Sequence, residues 1–322
     1  MANSSSLTAK VTPRHVVMQS DTLPVSLRLR TWASQYIYPG RNRGGLGNVV
    51  RLPFRKVIKL NTTKNEADAM EFVRANTSIP IPKVYEVYER SDGAVDIVME
   101  ALPGDGTDYT NMSPEQVRAF GDELAGYLHQ LRNLEPPEKG FIGSVNGGSL
   151  LDHRVGHVRF APFHTVDHFH SYLRLGGPLD TWMYNPVVKK VHGRSGTYRV
   201  KFTHADLNPT NIQYHNGRIA GIIDWEFAGW YPEYWEYTKM RFADRPVYQK
   251  FFEAIEACPA IDKYAEELEA ERDIWQRLSP WAYDDFYERP ENVAAFCKSI
   301  TGAQRRSVNN TDRTSVKAPD DT

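Results

Sequence analysis

The sequence has few cysteines, almost no net charge and no long apolar run. Its two cysteines, Cys258 and Cys297, have no metal-binding spacing, so we expect reduced thiols instead of a disulfide framework. A formal net charge of -1 at pH 7 argues against a general nucleic-acid or anionic-membrane binder. No apolar run approaches the roughly 18 residues of a membrane-spanning helix, and residues 1–17 lack a signal-peptide core. We therefore expect a soluble, cytoplasmic protein.

Composition and periodicity divide the chain into two structured regions between polar ends. A hydrophobic content of 41% and an aromatic content of 12% are ample for a packed core. Residues 22–101 are rich in strand patterns and residues 102–300 in helical patterns, which predicts an α+β fold with segregated strands and helices. Residues 1–21 and 301–322 are polar and lack periodicity, and we expect both to be disordered tails.

A lysine stands among apolar residues near the end of a predicted strand, in Val57-Ile58-Lys59-Leu60. Burying an unpaired ammonium group is costly, so a buried Lys59 requires an acidic partner. Glu66, at the start of the following predicted helix, is the natural candidate. The alternative is an exposed lysine on an edge strand.

The most informative stretch is 202–236, where polar side chains with oxygen atoms are expected to converge. Asp206 and Asn211 follow an apolar run, and Asn216-Gly217 between alternating apolar residues predicts a β-hairpin. The second strand of that hairpin ends at Asp224. Oxygen ligands of this kind suit Mg²⁺, whose other positions are taken by phosphate oxygens and water. A hairpin with a solvated acidic loop is the alternative, and the spacing of the three residues disfavours it.

These residues carry a family resemblance. His204-x-Asp206-x4-Asn211, followed by Ile222-Ile223-Asp224-Trp225-Glu226, resembles the catalytic and metal loops of the aminoglycoside phosphotransferase and choline kinase-like family. The match is closest to fungal members, whose loops resemble His-Gly-Asp-Leu-x-x-x-Asn and Ile-Ile-Asp-Trp-Glu. The resemblance implies a two-lobed, protein-kinase-like fold with a small β-rich N-lobe at 22–101 and a larger, mainly helical C-lobe at 102–300.

The resemblance also implies an ATP- and Mg²⁺-dependent phosphotransferase that acts on a hydroxyl group of a small molecule. Asp206 would be the base or the orienting group for that hydroxyl. Asn211 and Asp224 would hold Mg²⁺ against the ATP phosphates, and His204 would brace the loop without transferring a proton. The identity of the acceptor stays open.

The resemblance assigns the ATP-binding residues to the first region. Lys59 would contact the ATP phosphates, oriented by Glu66, and backbone groups of Glu100 and Leu102 would pair with the adenine edge. The Gly-rich segment 40–47 either covers the phosphates or is an ordinary surface loop, and both interpretations stay open.

Acidic and aromatic residues after the catalytic loop suggest a wall for a cationic or aminated acceptor. They are Asp206, Glu226, Glu233, Glu236, Trp225, Trp230 and Trp235. Packing of the tryptophans in the helical lobe is the favoured alternative. We expect neither a nucleic-acid partner nor a membrane partner, and the oligomeric state stays open.

Five histidines lie in a short interval, at positions 153, 157, 164, 168 and 170. His164 and His168 could bind zinc from one helix face, but no Glu or Cys completes a recognised set. Ordinary helix-surface histidines are therefore favoured.

Two other functions fit the same fold. A catalytically inactive, nucleotide-binding pseudokinase or interaction module is supported by the irregular Gly-rich segment and opposed by the intact set of Lys59, Asp206, Asn211 and Asp224. A protein kinase is disfavoured, because Asp224-Trp225-Glu226 stands where Asp-Phe-Gly is expected.

Overall fold

The structure, a computed structural model, describes the chain in six segments. They are residues 15–37, 48–104, 111–160, 162–182, 186–242 and 245–300. The Gly-rich segment 40–47, the first part of the predicted N-terminal tail and the predicted tail at 301–322 lie outside the described residues.

Five strands form the sheet of the N-lobe, in the order β1-β4-β5-β3-β2. They are β1 (Val16–Gln19), β2 (Val49–Leu52), β3 (Lys56–Thr62), β4 (Val84–Glu89) and β5 (Val95–Glu100). Neighbouring strands run antiparallel, except that β1 runs parallel to β4.

Residues 16–19 form the edge strand β1, although they lie within the segment 1–21 that the sequence predicts to be a disordered tail. It pairs with Glu86–Glu89, and the Ser20 N–H donates to the Glu89 carbonyl at 3.0 Å. The pairing uses main-chain groups, and Met18 is the side chain of β1 that packs against the core. A four-residue edge strand therefore needs little apolar alternation, and the sequence pattern does not reveal it.

Two helices cover opposite faces of this sheet, α1 (Val25–Ile37) and α2 (Lys64–Asn76). Leu27 of α1 packs in one cluster with Ile58 and Val98, which lie opposite each other on β3 and β5. Met70 of α2 belongs to the main core together with Ile97. Consecutive strand residues point to opposite faces, so β5 contributes to both layers.

The C-lobe is mainly helical, with two short β-ribbons. The helices are α3 (Pro114–Arg132), α4 (Val166–Leu173), α5 (Pro186–Gly193), α6 (Trp235–Met240), α7 (Gln249–Ala257), α8 (Ala265–Arg277) and α9 (Pro280–Tyr287), followed by a helical segment at 290–300. The ribbons pair β6 (Val200–Thr203) with β9 (Gly229–Pro232) and β7 (Ile212–His215) with β8 (Arg218–Ile222). The predicted α+β, two-lobed architecture is confirmed.

The β7–β8 hairpin forms around the turn that the sequence predicts. Asn216 and Gly217 have φ of 51° and 78°, the positive values that a type I′ turn requires at both central positions. Strand β9 was not predicted, because all four of its residues are buried and show no alternation. Within the described residues, no helix is long and apolar enough to cross a membrane.

Helix α3 begins with a capping box, and its loss has a predictable effect on stability. The Gln116 N–H donates to Ser113 Oγ at 3.3 Å, and the Ser113 N–H donates to Gln116 Oε1 at 2.8 Å. We expect Ser113→Ala to lower the free energy of unfolding by about 1 kcal/mol, measured by urea denaturation. Ser113→Thr retains the acceptor oxygen and should lose much less; equal stability of the Ala variant would contradict the cap.

Candidate active site

The loop between β6 and β7 holds Asp206 and Asn211 against each other. Asn211 Nδ2 donates to the main-chain carbonyl of Asp206 at 2.9 Å and to Asp206 Oδ2 at 2.8 Å. The amide therefore fixes the orientation of the carboxylate, while Asn211 Oδ1 accepts a long hydrogen bond of 3.4 Å from Thr210 Oγ1 and keeps a second lone pair. The Ile223 N–H donates to the Asn211 carbonyl at 2.9 Å, which places Asn211 beside the end of β8 and next to Asp224.

His204 connects this loop to the segment before Asp224. Its Nε2 donates to the Ile223 carbonyl at 2.9 Å, and its Nδ1 accepts from the Asp206 N–H at 3.2 Å. This pattern requires the neutral imidazole with the proton on Nε2. Burial lowers the pKa of His204 to about 4, so the ring is uncharged at neutral pH. The contacts are those of a brace.

Two residues of the site adopt left-handed backbone conformations, Ala205 with φ of 64° and Asp224 with φ of 69°. This conformation costs a non-glycine residue about 1–2 kcal/mol. Glu236, at the start of α6, helps to hold it, since Glu236 Oε2 accepts from the His204 N–H at 2.7 Å. Burial raises the pKa of Glu236 to about 7. Glu236 therefore supports the loop between β6 and β7 through the His204 main chain and does not line an acceptor wall.

Lys59 of β3 is buried and lies among three carboxylates, of which Glu66 is buried and Asp224 and Glu226 are partly exposed. Its Nζ is 2.5 Å from Asp224 Oδ1, 2.8 Å from Glu66 Oε2 and 3.5 Å from Glu226 Oε2. Burial disfavours the ammonium, but the three carboxylates outweigh it and raise the pKa of Lys59. The ion pair between Lys59 and Glu66 is present, and the edge-strand alternative for Lys59 is wrong, because the residue is 6% exposed.

The start of α2 is bonded to the loop that follows Asp224. Asn65 Nδ2 donates to the Glu226 carbonyl at 3.1 Å and to the Ala228 carbonyl at 2.9 Å. Thr62 Oγ1 lies 3.4 Å from Glu226 Oε2. Sequence reasoning missed Asn65, because its partners are main-chain groups more than 160 residues away.

A cavity of about 900 Å³ opens between the lobes. Val49 and Val57 line one side, Leu102 lies at the lobe junction, and Tyr214 lines the opposite side. At this junction the Glu100 N–H is engaged by the Lys83 carbonyl at 2.9 Å, so any ligand contact of the Glu100 main chain falls to its carbonyl. The lining of the cavity combines these apolar side chains with polar ones, among them Arg51, Asn111 and Gln116.

The suggested acidic and aromatic wall is not formed. Trp225, Trp230 and Trp235 are each at most 2% exposed and pack in the main core. Glu233 lies 2.8 Å from Arg199 at the surface, where it forms an ion pair. The packing alternative is therefore correct for the tryptophans.

The histidines do not form one cluster. Within the described part of the chain, the one group of three potential metal ligands is Glu66, Asp224 and Glu226, which contains no histidine. His168 is 6% exposed, and His170 is fully buried and bonded to Ser195 Oγ at 2.7 Å and Tyr234 Oη at 2.8 Å, so the helix-surface prediction is wrong for both. The sequence does not reveal this, because both partners are distant in the chain.

Comparison with known proteins agrees with this geometry. Residues 41–281 match the model of the phosphotransferase enzyme family, APH, so the chain belongs to this family and the predicted membership is confirmed. No curated protein matches the sequence significantly.

Solved structures of aminoglycoside phosphotransferases resemble the chain at low sequence identity. APH(4)-Ia has a TM-score of 0.49 at 17% identity, covering 78% of this chain and 88% of that chain. A thermostable mutant of APH(4)-Ia in a ternary complex with ADP and hygromycin B has a TM-score of 0.48 at 15% identity, covering 78% and 89%. The gentamicin complex of APH(2″)-IIa has a TM-score of 0.44 at 16% identity, covering 79% and 86%.

The support that Glu236 gives to the loop between β6 and β7 can be measured as a change in the free energy of unfolding. We expect Glu236→Ala to lower the free energy of unfolding by about 1–3 kcal/mol, because the buried His204 N–H loses its acceptor. Glu236→Gln keeps a carbonyl oxygen of the same reach and should lose distinctly less. Urea denaturation of both variants tests this, and equal losses would show that the hydrogen bond to His204 is unimportant.

Proposed function

We propose that this member of the phosphotransferase enzyme family transfers the γ-phosphoryl group of ATP to a hydroxyl group of a small molecule. The proposal rests on two pairs of residues that lie side by side. Lys59 of the N-lobe contacts Asp224 at 2.5 Å, and Asn211, which lies beside Asp224, holds the carboxylate of Asp206 at 2.8 Å. A fixed cation, two oxygen ligands and a carboxylate for the hydroxyl are the groups that phosphoryl transfer requires.

The nucleotide-binding role of the N-lobe follows from position and charge. Lys59 supplies a fixed positive charge for the phosphates, and Glu66 at 2.8 Å holds the ammonium in place. We assign the adenine base to the cavity between the lobes, where main-chain groups of Leu102, which lines the cavity, and of Glu100, two residues before it, would pair with the base. Val57 would cover one face of the base and Tyr214 would lie on the other side.

The donor atoms at the end of β8 fit a magnesium ion. Asn211 Oδ1 and the Asp224 carboxylate are hard oxygen donors on the two segments that flank the β7–β8 hairpin, and Glu226 adds another carboxylate nearby. Asn211 and Asp224 would hold the ion. A bound Mg²⁺ would neutralise charge on the phosphates.

Asp206 is proposed to align the incoming hydroxyl and to accept its proton. Burial raises the pKa of Asp206 to about 6, while the ammonium of Lys239 acts in the opposite direction. The carboxylate is thus ionised at neutral pH and more basic than an exposed Asp. Because the transition state of phosphoryl transfer is loose, positioning of the hydroxyl matters more than the strength of the base.

Replacement of the two aspartates should separate catalysis from nucleotide binding. We expect Asp206→Asn to lower ADP formation from Mg-ATP, measured with water as acceptor, by about 100-fold or more while ATP affinity is unchanged. Asp224→Asn should instead weaken Mg²⁺-dependent ATP binding, measured by calorimetry.

The outcomes of this experiment divide the functional alternatives. Retention of most ADP formation in Asp206→Asn would refute the role of Asp206, and unchanged metal dependence in Asp224→Asn would refute the magnesium assignment. ATP binding without ADP formation under any acceptor condition would favour the inactive pseudokinase.

The pH dependence of the rate follows from the raised pKa of Asp206. The carboxylate takes up a proton as pH falls through about 6, so ADP formation at saturating Mg-ATP should fall about tenfold per pH unit below that value. Glu236→Gln should keep this inflection, because Glu236 accepts a hydrogen bond and transfers no proton. An inflection that disappears in Glu236→Gln would assign the titration to Glu236 instead.

A further inference from the structure

Helix α1 carries large apolar side chains on the face that points away from the sheet. Four of them follow one another at intervals of four, three and four residues, and so form one stripe along the helix: Val25, Leu29, Trp32 and Tyr36. They are 70%, 59%, 59% and 70% exposed, in that order. The Trp32 and Tyr36 ring centroids are 5.2 Å apart. We name these four residues the outer stripe.

The opposite face of α1 attaches the helix to the N-lobe. Leu27 is 5% exposed and packs with Ile58, and Ser34 Oγ donates to the Arg51 carbonyl of β2. Ile58 points to the sheet face that α1 covers, so its neighbour Lys59 points to the other face. The outer stripe therefore lies on the far side of the sheet from Lys59, and a partner bound there leaves the candidate active site open.

The charges beside the outer stripe are positive. Arg28 and Arg30 are exposed and lie on opposite sides of the stripe, and α1 contains no acidic residue. Within the described part of the chain, neither arginine forms an ion pair. The formal net charge of the whole chain is -1, so composition does not reveal this local excess of positive charge. An anionic partner matches it.

The dimensions of the outer stripe favour a lipid surface over a protein. Helix α1 has 13 residues, about 20 Å of helix and less than two heptads, which is too short for a coiled-coil seam. A stable protein interface needs about 800 Å² from each partner, more than one face of such a helix offers. A bilayer surface requires no matching shape, accepts Trp and Tyr at the level of its head groups, and attracts arginine when its lipids are anionic.

The rest of the sequence near the chain ends and after α1 has few apolar side chains with which to cover the outer stripe. Residues 1–14, 38–47 and 301–322 are rich in Ser, Thr, Asn, Gly and Arg. Their large apolar side chains are Met1, Leu7, Val11, Tyr38, Leu46, Val308 and Val316. An apolar partner for the outer stripe therefore comes from outside these segments.

We infer that the outer stripe docks the protein on an anionic lipid surface, with Trp32 and Tyr36 at the level of the head groups and Arg28 and Arg30 beside the lipid phosphates. The helix lies on the surface and does not cross it. The inference does not rest on the proposed phosphotransferase activity. It replaces the expectation of no membrane partner, which follows from the net charge of the whole chain, by an attraction that is local to α1.

Vesicle sedimentation of the full chain tests the inference. The probes are vesicles of phosphatidylcholine with about 30% phosphatidylserine, and vesicles of phosphatidylcholine alone. We expect the unaltered chain to bind the anionic vesicles about tenfold more tightly, and about 0.5 M NaCl to remove most of that difference. Leu29→Ala and Trp32→Ala should each weaken binding to the anionic vesicles by about five- to twentyfold.

Brominated phosphatidylcholine in the anionic vesicles locates the contact, because bromine quenches tryptophan fluorescence at close range. Among the described residues, the exposed tryptophans are Trp32 and Trp281, at 59% and 66%. Quenching should disappear in Trp32→Phe, which keeps an aromatic ring and most of the binding. It should persist in Trp281→Phe.

Two control variants change equivalent side chains on the C-lobe. Trp281→Ala removes an exposed tryptophan of α9, and the double variant Lys189→Gln with Lys190→Gln removes two cations of α5 whose side chains are 49% and 59% exposed. Both should leave vesicle binding unchanged, whereas Arg28→Gln with Arg30→Gln should remove the preference for anionic vesicles. Thermal unfolding shows whether any loss of binding reflects unfolding.

Three results would overturn the inference: no binding of the unaltered chain to the anionic vesicles, equal binding to both kinds of vesicle, or undiminished binding in both Leu29→Ala and Trp32→Ala. Analytical ultracentrifugation in lipid-free buffer tests the other occupant. A dimer that dissociates in Trp32→Ala would assign the outer stripe to a second copy of the chain and would also overturn the lipid assignment.

Discussion

The arrangement of the two lobes depends on one buried ammonium group. Lys59 comes from the N-lobe sheet and Glu66 from the adjacent helix α2, whereas Asp224 and Glu226 come from the loop after β8 in the C-lobe, so the ion-pair group joins the two lobes. Removal of Lys59 would leave three carboxylates facing one another at low solvent exposure, which is strongly unfavourable. The ion pairs of Lys59 therefore hold the N-lobe on the C-lobe and also balance the charges of the candidate phosphate site.

The catalytic loop is held by a different kind of interaction. His204 is neutral, and it contacts the main chain on both sides. Glu236 accepts a hydrogen bond from the His204 main-chain N–H, and Asn211 Nδ2 donates two hydrogen bonds to Asp206. Hydrogen bonds of this directional kind keep Ala205 in an unfavourable backbone conformation, with φ of 64°.

Local features of this fold could be predicted from the sequence, and features set by distant contacts could not. The Asn216-Gly217 turn and the Ser113 cap are read from a few adjacent residues, and the candidate site residues followed from motif spacing. Strand β1 and the roles of Asn65 and Glu236 depend on partners across the fold, which leave no local pattern. The burial of the tryptophans, which is the favoured interpretation of their position after the metal-loop motif, is also observed, because the helical lobe packs around them.

The two hydrogen bonds of Asn65 couple helix α2 to the loop after β8. A rotation of α2 that withdrew Glu66 from Lys59 would also stretch the bonds to the Glu226 and Ala228 carbonyls. Outward movement of the helix would therefore break these hydrogen bonds unless the loop moved with it. In kinase-like folds these two elements are separate parts of the switch between active and inactive forms. Here the Asn65 side chain links the two elements directly.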